Sequence, residues 1–305
     1  MAKIYTQAPL PFMGQKRRWN NDFKTALKNE FADCTIFVDL FGGSGLLSHF
    51  TKTVRPDAQV VYNDFDGYVH RIEAIPTTNS ILAEIREIVK DVPRTKRITG
   101  QPRTQVLEVL ERYDKQGYVD YITLSASILF SSNYAVNLEE MKGNTLYNTV
   151  RTSDFNADQY LDGLIVVHED YRDLFARYKD VSGVCFLIDP PYLSTQATTY
   201  SGYWKLRDYL DVLHTLKGTN YFYFTSEKSS IIELCDWLDQ EERFVNPFRH
   251  AKQVTIKSRL NYNSIYNDIM LYNHPNKMGH HEQVLSNAFV HYGERQNPTQ
   301  QEGQY

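Results

Sequence analysis

Five consecutive apolar residues, Val184–Ile188, are followed at once by Asp189-Pro190-Pro191-Tyr192. A continuous apolar run of this length is typical of a strand that is buried on both faces of a parallel sheet. Proline fixes φ and has no N–H, so the segment after the strand is stiff and offers mainly hydrogen-bond acceptors. The pattern therefore predicts a central strand with acceptors and an aromatic ring at its carboxyl end.

These four residues suit a flat heterocycle that carries an exocyclic amine. Asp189 and the carbonyl of Pro190 would each accept a hydrogen bond from the amine. Tyr192 would give the ring a face to stack on. A plain turn that ends a strand is the alternative, since Asp-Pro and Pro-Pro are common in turns.

A second strand-to-helix junction lies near the start of the chain. Thr35–Val38 is predicted to be a buried strand, and it continues into Asp39-Leu40-Phe41-Gly42-Gly43-Ser44-Gly45 before an apolar helical stretch. Glycines in such a turn let a ligand approach the backbone closely. The turn has neither the Gly-x-Gly-x-x-Gly pattern nor the Gly-Lys-Ser/Thr of phosphate-binding loops. A nicotinamide or nucleoside-triphosphate site is therefore disfavoured.

An acidic residue follows this turn at a spacing that is typical of nucleotide-binding folds. Asp64 comes nineteen residues after Gly45 and ends the strand-like run 59–63. In nucleotide-binding α/β folds, an acid about 20 residues beyond the glycine turn binds the ribose hydroxyls. A helix cap is the alternative interpretation of an Asp after a strand.

The alternation of elements predicts an α/β fold with a mainly parallel, Rossmann-like sheet. Strands are expected at about 35–41, 59–64, 164–169, 184–189 and 221–226, and Trp19, Phe23, Leu27 and Phe31 have the spacing of an amphipathic helix. Three helices and a polar loop over 131–155 suggest an inserted helical module. We expect a main domain of residues 1–75 and 161–275, the inserted module over 76–160, and a disordered tail over 276–305.

The composition does not by itself indicate a nucleic-acid-binding protein. The formal net charge is −4, so such affinity would have to come from local basic groups. Three groups occur: Lys16-Arg17-Arg18; a loop-like stretch with Lys90, Arg94, Lys96, Arg97 and Arg103; and Arg249, His250, Lys252, Lys257 and Arg259. A mobile basic loop would neutralise phosphates without reading sequence, while a solvated surface is the alternative for each group.

Neither a membrane span nor a charged-then-apolar leader is apparent, which predicts a cytoplasmic protein without a membrane partner. Cys34, Cys185 and Cys235 lack metal-ligand spacing, so plain buried thiols are expected rather than ligands or disulfides. His274, His280 and His281 are expected to be solvated tail residues, and metal binding is the alternative interpretation of these histidines. No metal site is predicted.

Three motifs, in this order, resemble those of the Dam-like (D12) class of DNA adenine-N6 methyltransferases. They are Pro11-Phe12-Met13-Gly14-Gln15-Lys16, then Asp39-x-Phe-x-Gly-x-Gly, then Asp189-Pro-Pro-Tyr. The resemblance spans about residues 9–273 and is dense only at the motifs. Phe12 and Gln15 depart from the residues that many members have there. The resemblance implies an inserted module that recognises DNA, with the target base turned out of the duplex.

The same resemblance implies S-adenosylmethionine as the cofactor. Its implied ligands are Phe12, Lys16, Asp39, Phe41, Gly43, Gly45, Asp64, Asp170 and Tyr171. The implied catalytic residues are Asp189, Pro190, Pro191 and Tyr192. The implied partner is double-stranded DNA, with a cognate restriction endonuclease as a functional partner and not a stable complex.

Other functions remain open at this point. The alternatives are methyl transfer to cytosine N4, to RNA or to a protein amide, and a catalytically idle nucleic-acid-binding protein of the same fold. The long segment Leu193–Trp204 is expected to cover the target base, with Tyr200, Tyr203 and Trp204 as stacking groups, or else to be a surface loop.

Overall fold

The computed structural model describes residues 3–130, 133–193, 204–240, 245–261 and 264–275. Helices and strands alternate along the chain, and seven strands form a sheet that is mostly parallel. The predicted α/β, Rossmann-like class with a mainly parallel sheet is therefore confirmed. The chain divides into two compact units.

The first unit contains Met1–Leu27 and Thr35–Leu174. Its strands are β1 (Ile36–Asp39), β2 (Gln59–Asn63) and β3 (Leu164–Val167). They run parallel in the order β3-β2-β1, with Ile36 paired with Gln59 and Val60 paired with Leu164. This is the strand order of half a Rossmann fold, in which ligands bind at the carboxyl ends of the strands.

The other main elements of this unit are helices. They are α1 (Asn20–Glu30), α2 (Leu46–Val54), α3 (Tyr68–Glu73), α4 (Ile75–Ile88), α5 (Gly100–Asp114), α6 (Tyr121–Ile128), α7 (Leu138–Gly143) and α8 (Tyr171–Tyr178), of which α1 and α8 continue into the second unit. The prediction of an amphipathic helix here is confirmed, because its apolar residues Trp19, Phe23 and Leu27 are buried.

The polar segment 131–155, expected to be a loop, contains α7. The side chain of Asn137 accepts a hydrogen bond from the amide of Glu140 at 2.8 Å and so caps this helix. Asparagine is a favoured N-cap. A residue that was counted as a loop signal is here the start signal of a helix.

The basic stretch 90–103, also expected to be a loop, is tied to the segment at 146–148. The amide of Thr95 donates to the carbonyl of Asn148 at 2.9 Å, and that of Ile98 donates to Leu146 at 2.8 Å. Ile98 is buried, and Arg103 lies within α5. One apolar residue among the cations therefore holds the stretch in place.

The second unit contains Lys28–Cys34 and Phe175–Tyr305. Its strands are β4 (Val184–Ile188), β5 (Asn220–Ser226), β6 (Lys252–Asn261) and β7 (Ser264–Asn273), in the order β4-β5-β7-β6. β4 and β5 are parallel, whereas β7 runs antiparallel to both β5 and β6. Its other helices are α9 (Leu206–Leu216) and α10 (Ile231–Leu238).

Strand β6 was not predicted, because its charged residues weaken the alternation of apolar and polar positions. Thr255 and Lys257 are exposed, while Val254 and Ile256 are partly covered. This period of two is the pattern of a strand with one covered face. The third basic group therefore lies largely on a strand.

His274 was expected in a solvated tail, but it is buried directly after β7, with 6% of its surface exposed. The predictions for Tyr200, Tyr203 and the tail 276–305 fall outside the described residues. Of the helices in the described part of the chain, none is long and apolar enough to cross a membrane.

Candidate active site

The N-terminal motif is anchored to α3 in the first unit. The hydroxyl of Tyr68 accepts a hydrogen bond from the amide of Leu10 at 2.9 Å and donates to its carbonyl at 3.1 Å. Phe12 packs edge-on against the Tyr68 ring, with centroids 5.6 Å apart. A Cβ added to Gly43 would lie 3.0 Å from the Phe12 ring. The motif thus places Phe12 against the glycine turn.

The glycine turn is braced by a buried tyrosine from β2. A Cβ at Gly42 would lie 2.3 Å from the ring of Tyr62, so a side chain there would collide. The Tyr62 hydroxyl lies 2.8 Å from the carbonyl oxygen of Gly43. Gly43 and Gly45 have φ of 50° and 72°, the left-handed region that favours glycine. The turn is tight because Gly42 and Gly45 let it lie on the Tyr62 ring.

Two charged candidates in this unit are buried. Asp39 ends β1 with no exposed surface, and one of its carboxylate oxygens accepts a hydrogen bond from Ser48 at 2.7 Å. Lys16 is 9% exposed, and its ammonium donates to the carbonyl of Gly14 at 2.9 Å. Buried charges are costly unless compensated. Both residues are therefore held by the fold and do not extend freely into solvent.

Asp64 caps helix α3. Its carboxylate accepts hydrogen bonds from the amides of Tyr68 at 2.6 Å and Val69 at 2.9 Å. The Tyr62 hydroxyl donates to it at 2.9 Å. Burial and the neighbouring Asp64 charge raise the pKa of Tyr62, so the phenol stays protonated and remains a donor. A carboxylate has about four acceptor positions, so these three bonds leave room for one more donor.

Asn63 joins three loops at the carboxyl ends of the strands. Its side-chain amide donates to the carbonyls of Leu40 at 3.1 Å and Glu169 at 3.0 Å, and it accepts from the amide of Glu169 at 3.0 Å. The segments after β1, β2 and β3 are thereby fixed to one another. Sequence reasoning missed this residue, although its position at the end of a strand was a signal.

The predicted residues of the third loop differ in their surroundings. Tyr171 is buried and packs against Phe41, with ring centroids 4.9 Å apart. Asp170 is exposed and accepts a hydrogen bond from the amide of Arg172 at 2.8 Å, as a cap at the start of α8 does. The fold thus brings Phe41 and Tyr171 together, while Asp170 faces solvent.

Phe65, which the sequence did not single out, forms an aromatic pair with His168 beside Asp64. The rings of Phe65 and His168 stack with an interplanar angle of 7° and centroids 5.4 Å apart. His168 Nδ1 is 2.8 Å from the carbonyl oxygen of Asp64, which fixes the imidazole. Phe65 nevertheless leaves 51% of its surface exposed. The signal for Phe65 in the sequence was an aromatic residue directly after the acid that follows a strand.

Asp189-Pro190-Pro191-Tyr192 lies at the carboxyl end of β4 in the second unit. All five residues of β4 are buried, as predicted for a central strand. Asp189 and Tyr192 are partly exposed, whereas both prolines are buried. The carbonyl of Tyr192 accepts a hydrogen bond from the hydroxyl of Tyr209 at 3.3 Å. The motif is therefore a packed segment from which the carboxylate and the aromatic ring reach solvent.

Tyr223 is a further residue near this motif. It lies on β5, where it pairs with Ile188, the residue before Asp189. Burial raises its pKa, and the nearby Cys235 and Asp189 raise it further, so the phenol is neutral beside the carboxylate. The sequence could not single it out, because Tyr223 belongs to an aromatic-rich strand without a motif.

The basic groups divide into buried or paired cations and exposed ones. Arg103 donates to the carbonyl of Lys142 at 2.6 Å, and Arg94 donates to Val150, so both hold main chain in place. Ion pairs hold two cations of the third group: Arg249 lies 2.7 Å from Asp239, and Lys252 lies 2.7 Å from Glu30. Exposed cations include Arg17, Arg18, Lys96 and Arg97, of which Arg97 also donates a hydrogen bond to the hydroxyl of Tyr147 at 3.3 Å.

Comparison with known proteins gives concordant matches. Residues 12–212 match the model of the D12 class of N6 adenine-specific DNA methyltransferases. A Haemophilus influenzae (strain ATCC 51907 / DSM 11121 / KW20 / Rd) protein named "Putative methyltransferase" is 34% identical over 283 residues, which cover 88% of this chain and 93% of that protein. The matched region includes the glycine turn, Asp64 and Asp189-Pro-Pro-Tyr. The chain therefore belongs to the D12 class of N6 adenine-specific DNA methyltransferases.

Proposed function

We propose that the protein transfers a methyl group from S-adenosylmethionine to N6 of adenine at specific sites of double-stranded DNA. The target base is turned out of the duplex, because an enzyme cannot reach N6 for in-line attack within the stack. The observation that carries the proposal is the position of Asp189. Its carboxylate emerges with Tyr192 from a rigid segment at the end of a buried strand, inside the region matched by the family.

In the proposed reaction, Asp189 and the carbonyl of Pro190 accept hydrogen bonds from the exocyclic amine. The nitrogen lone pair forms the new N–C bond as the S–C bond of the sulfonium breaks. The proton that the amine loses leaves through Asp189, whose partial exposure allows transfer to water. Catalysis depends on position and charge, and requires no covalent intermediate with the protein.

The residues of the first unit fit the proposed cofactor. The glycine turn supplies a close backbone surface for the methionine part, with Phe12 at its side. The exposed face of Phe65, backed by His168, suits stacking of the adenine ring. Asp64 has acceptor capacity left for a ribose hydroxyl. Lys16 and Asp39, two buried charged residues, would orient the charged amino-acid end.

The proposed function can be tested with unmethylated DNA and labelled S-adenosylmethionine. We expect N6-methyladenine in the digested product and none from Asp189→Ala, although calorimetry should show that this variant binds the cofactor as the wild type does. A wild-type protein that binds cofactor and DNA without transfer would instead indicate an idle binding protein. An Asp189→Ala variant with most of its turnover would show that the motif is only a turn.

The specificity of the protein for particular DNA sites is tested by a separate measurement. Sequencing of DNA from a methylation-deficient host that expresses the protein would reveal the modified sites. Methylation confined to one sequence context supports site specificity, whereas methylated adenines scattered over all contexts would contradict it.

A further inference from the structure

A cluster of four ligand-type side chains lies in the second unit, away from Asp189. We call it the Cys34 cluster: Asp33, Cys34, Cys185 and His274. Cys185 is the second residue of β4, and His274 directly follows β7. Since β4 and β5 are parallel and β7 is antiparallel to β5, the amino end of β4 and the carboxyl end of β7 lie at the same end of these strands. Asp189 follows the carboxyl end of β4 and so lies at the opposite end.

The polar atoms of the Cys34 cluster converge. His274 Nε2 is 3.1 Å from an oxygen of Asp33 and 3.9 Å from Cys34 Sγ. One ligand atom from each of these three residues lies within 4.8 Å of the other two. Cys185 is also a buried free thiol, and it interacts with Cys34. One sulfur, an imidazole nitrogen and a carboxylate oxygen therefore share one small volume, and the Cys185 thiol is a further sulfur that interacts with Cys34.

These separations are close to what a tetrahedral zinc ion requires. Zinc binds sulfur at about 2.3 Å and nitrogen or oxygen at about 2.0–2.2 Å, so its ligand atoms lie about 3.3–3.8 Å apart. The measured 3.1 Å and 3.9 Å differ from that range by a few tenths of an ångström. Rotamer adjustments of that size are available to Asp33, whose side chain is 58% exposed.

The surroundings hold the imidazole and one sulfur in place. The His274 ring packs against Phe31, with centroids 5.3 Å apart, and its Nδ1 has no hydrogen-bond partner among the described residues. Contacts of Nε2 thus orient the ring. The side-chain amide of Asn220 donates to Cys34 Sγ at 3.7 Å and to the carbonyl of Val184 at 2.9 Å. Such outer donors are typical of metal-bound ligands.

We propose that the Cys34 cluster is a zinc site, with the converging ligand atoms of Asp33, Cys34 and His274 and with the neighbouring Cys185 thiol as the fourth ligand. Two thiolates and an imidazole suit zinc and exclude magnesium and calcium, which prefer oxygen ligands. Cys185 precedes Asp189 by four residues of strand, or about 13 Å. The ion would therefore be structural, joining the segment Lys28–Cys34 to the sheet of the second unit.

The test uses full-length protein purified without a histidine tag. Elemental analysis should find about one zinc per chain, and exchange for Co²⁺ should give the near-ultraviolet sulfur-to-cobalt charge-transfer band. Cys34→Ser and His274→Asn should lower the metal affinity at least about tenfold, since even outer-shell changes cost about 10–100-fold. Cys235→Ser is the matched control, because Cys235 is also buried and lies on α10. It should keep the metal and the band.

Three results would overturn the proposal. The first is no stoichiometric zinc or cobalt in wild-type protein, even after anaerobic reconstitution. The second is equal cobalt binding by wild type and Cys34→Ser. The third is a Cys34–Cys185 disulfide as the native state under the same purification. If Cys34→Ser does not fold, Asp33→Asn removes the most exposed ligand, and retention of full metal affinity by that variant would equally contradict the site.

Discussion

Asp64 has two assigned roles, as a cap of α3 and as a proposed ribose ligand, and substitution can separate them. Asp64→Ala removes the acceptor for Tyr68 N and Val69 N, and it leaves Tyr62 with the Gly43 carbonyl alone. Loss of an N-cap costs about 0.5–2 kcal/mol of stability. The free energy of unfolding should therefore fall by about 0.5–2 kcal/mol, whether or not the cofactor contact exists.

The effect on cofactor affinity is a separate quantity. A hydrogen bond to a charged group contributes about 1.5–3 kcal/mol. At about 1.4 kcal/mol per factor of ten, loss of one ribose contact from Asp64 weakens S-adenosylmethionine binding roughly 10- to 150-fold. Calorimetry at a temperature well below the variant's melting point measures this loss on folded protein.

Two further variants sharpen the test. Asp64→Asn keeps one carbonyl oxygen for Tyr68 N and loses the charge, so it should retain part of the stability and still lose affinity. Asp66→Asn is the matched control, two residues further on and exposed. Unchanged affinity in folded Asp64→Ala, or a loss confined to Asp66→Asn, would refute Asp64 as the ribose ligand.

Three other predictions concern stacking and charge. Phe65→Ala should weaken cofactor binding about 2- to 13-fold, the scale of an aromatic pair at about 0.5–1.5 kcal/mol, while Phe65→Tyr should not; equal affinities in calorimetry would exclude the ring. Tyr192→Phe should bind DNA as the wild type does, and Tyr192→Ala roughly 5- to 150-fold more weakly, from about 1–3 kcal/mol of stacking; equal losses would point to the hydroxyl. Neutralising Lys96 and Arg97 should lower the slope of log DNA affinity against log salt concentration by about 0.9 per lost phosphate contact. Arg94→Ala should instead lower the melting temperature, since Arg94 holds main chain in place. An unchanged slope would show that Lys96 and Arg97 do not contact phosphates.

Most of the strands that the sequence predicted are apolar on both faces; the exception is the last one, predicted over 264–272 and found as β7. Val184–Ile188 is buried at every position, so its pattern has no competing interpretation. β6 was missed because an edge strand with one solvated face can carry cations, and its alternation is weak beside the charges of Lys252 and Lys257. Helix α7 was missed for a similar reason, since Asn137 favours loops and caps alike.

The candidate site was predictable where a motif carries the chemistry and unpredictable where the fold brings distant residues together. Asp39, Gly43 and Asp189 stand in recognisable local patterns. Phe65 and His168 are about a hundred residues apart in the chain and stack only because β2 and β3 are neighbours. Cys34 and His274 are separated by 240 positions, so no spacing rule could have paired them.

The net charge of −4 is compatible with a DNA substrate, because charge sign at the surface matters more than the total. Arg94 and Arg103 bind main-chain carbonyls and Arg249 is paired with Asp239, so these cations act within the fold. Lys96 and Arg97 remain exposed on a stretch whose backbone is fixed at 95–98. A fixed pair loses less conformational entropy on contact with phosphates than a mobile loop would. We propose that these exposed cations position DNA, while sequence recognition comes from other residues.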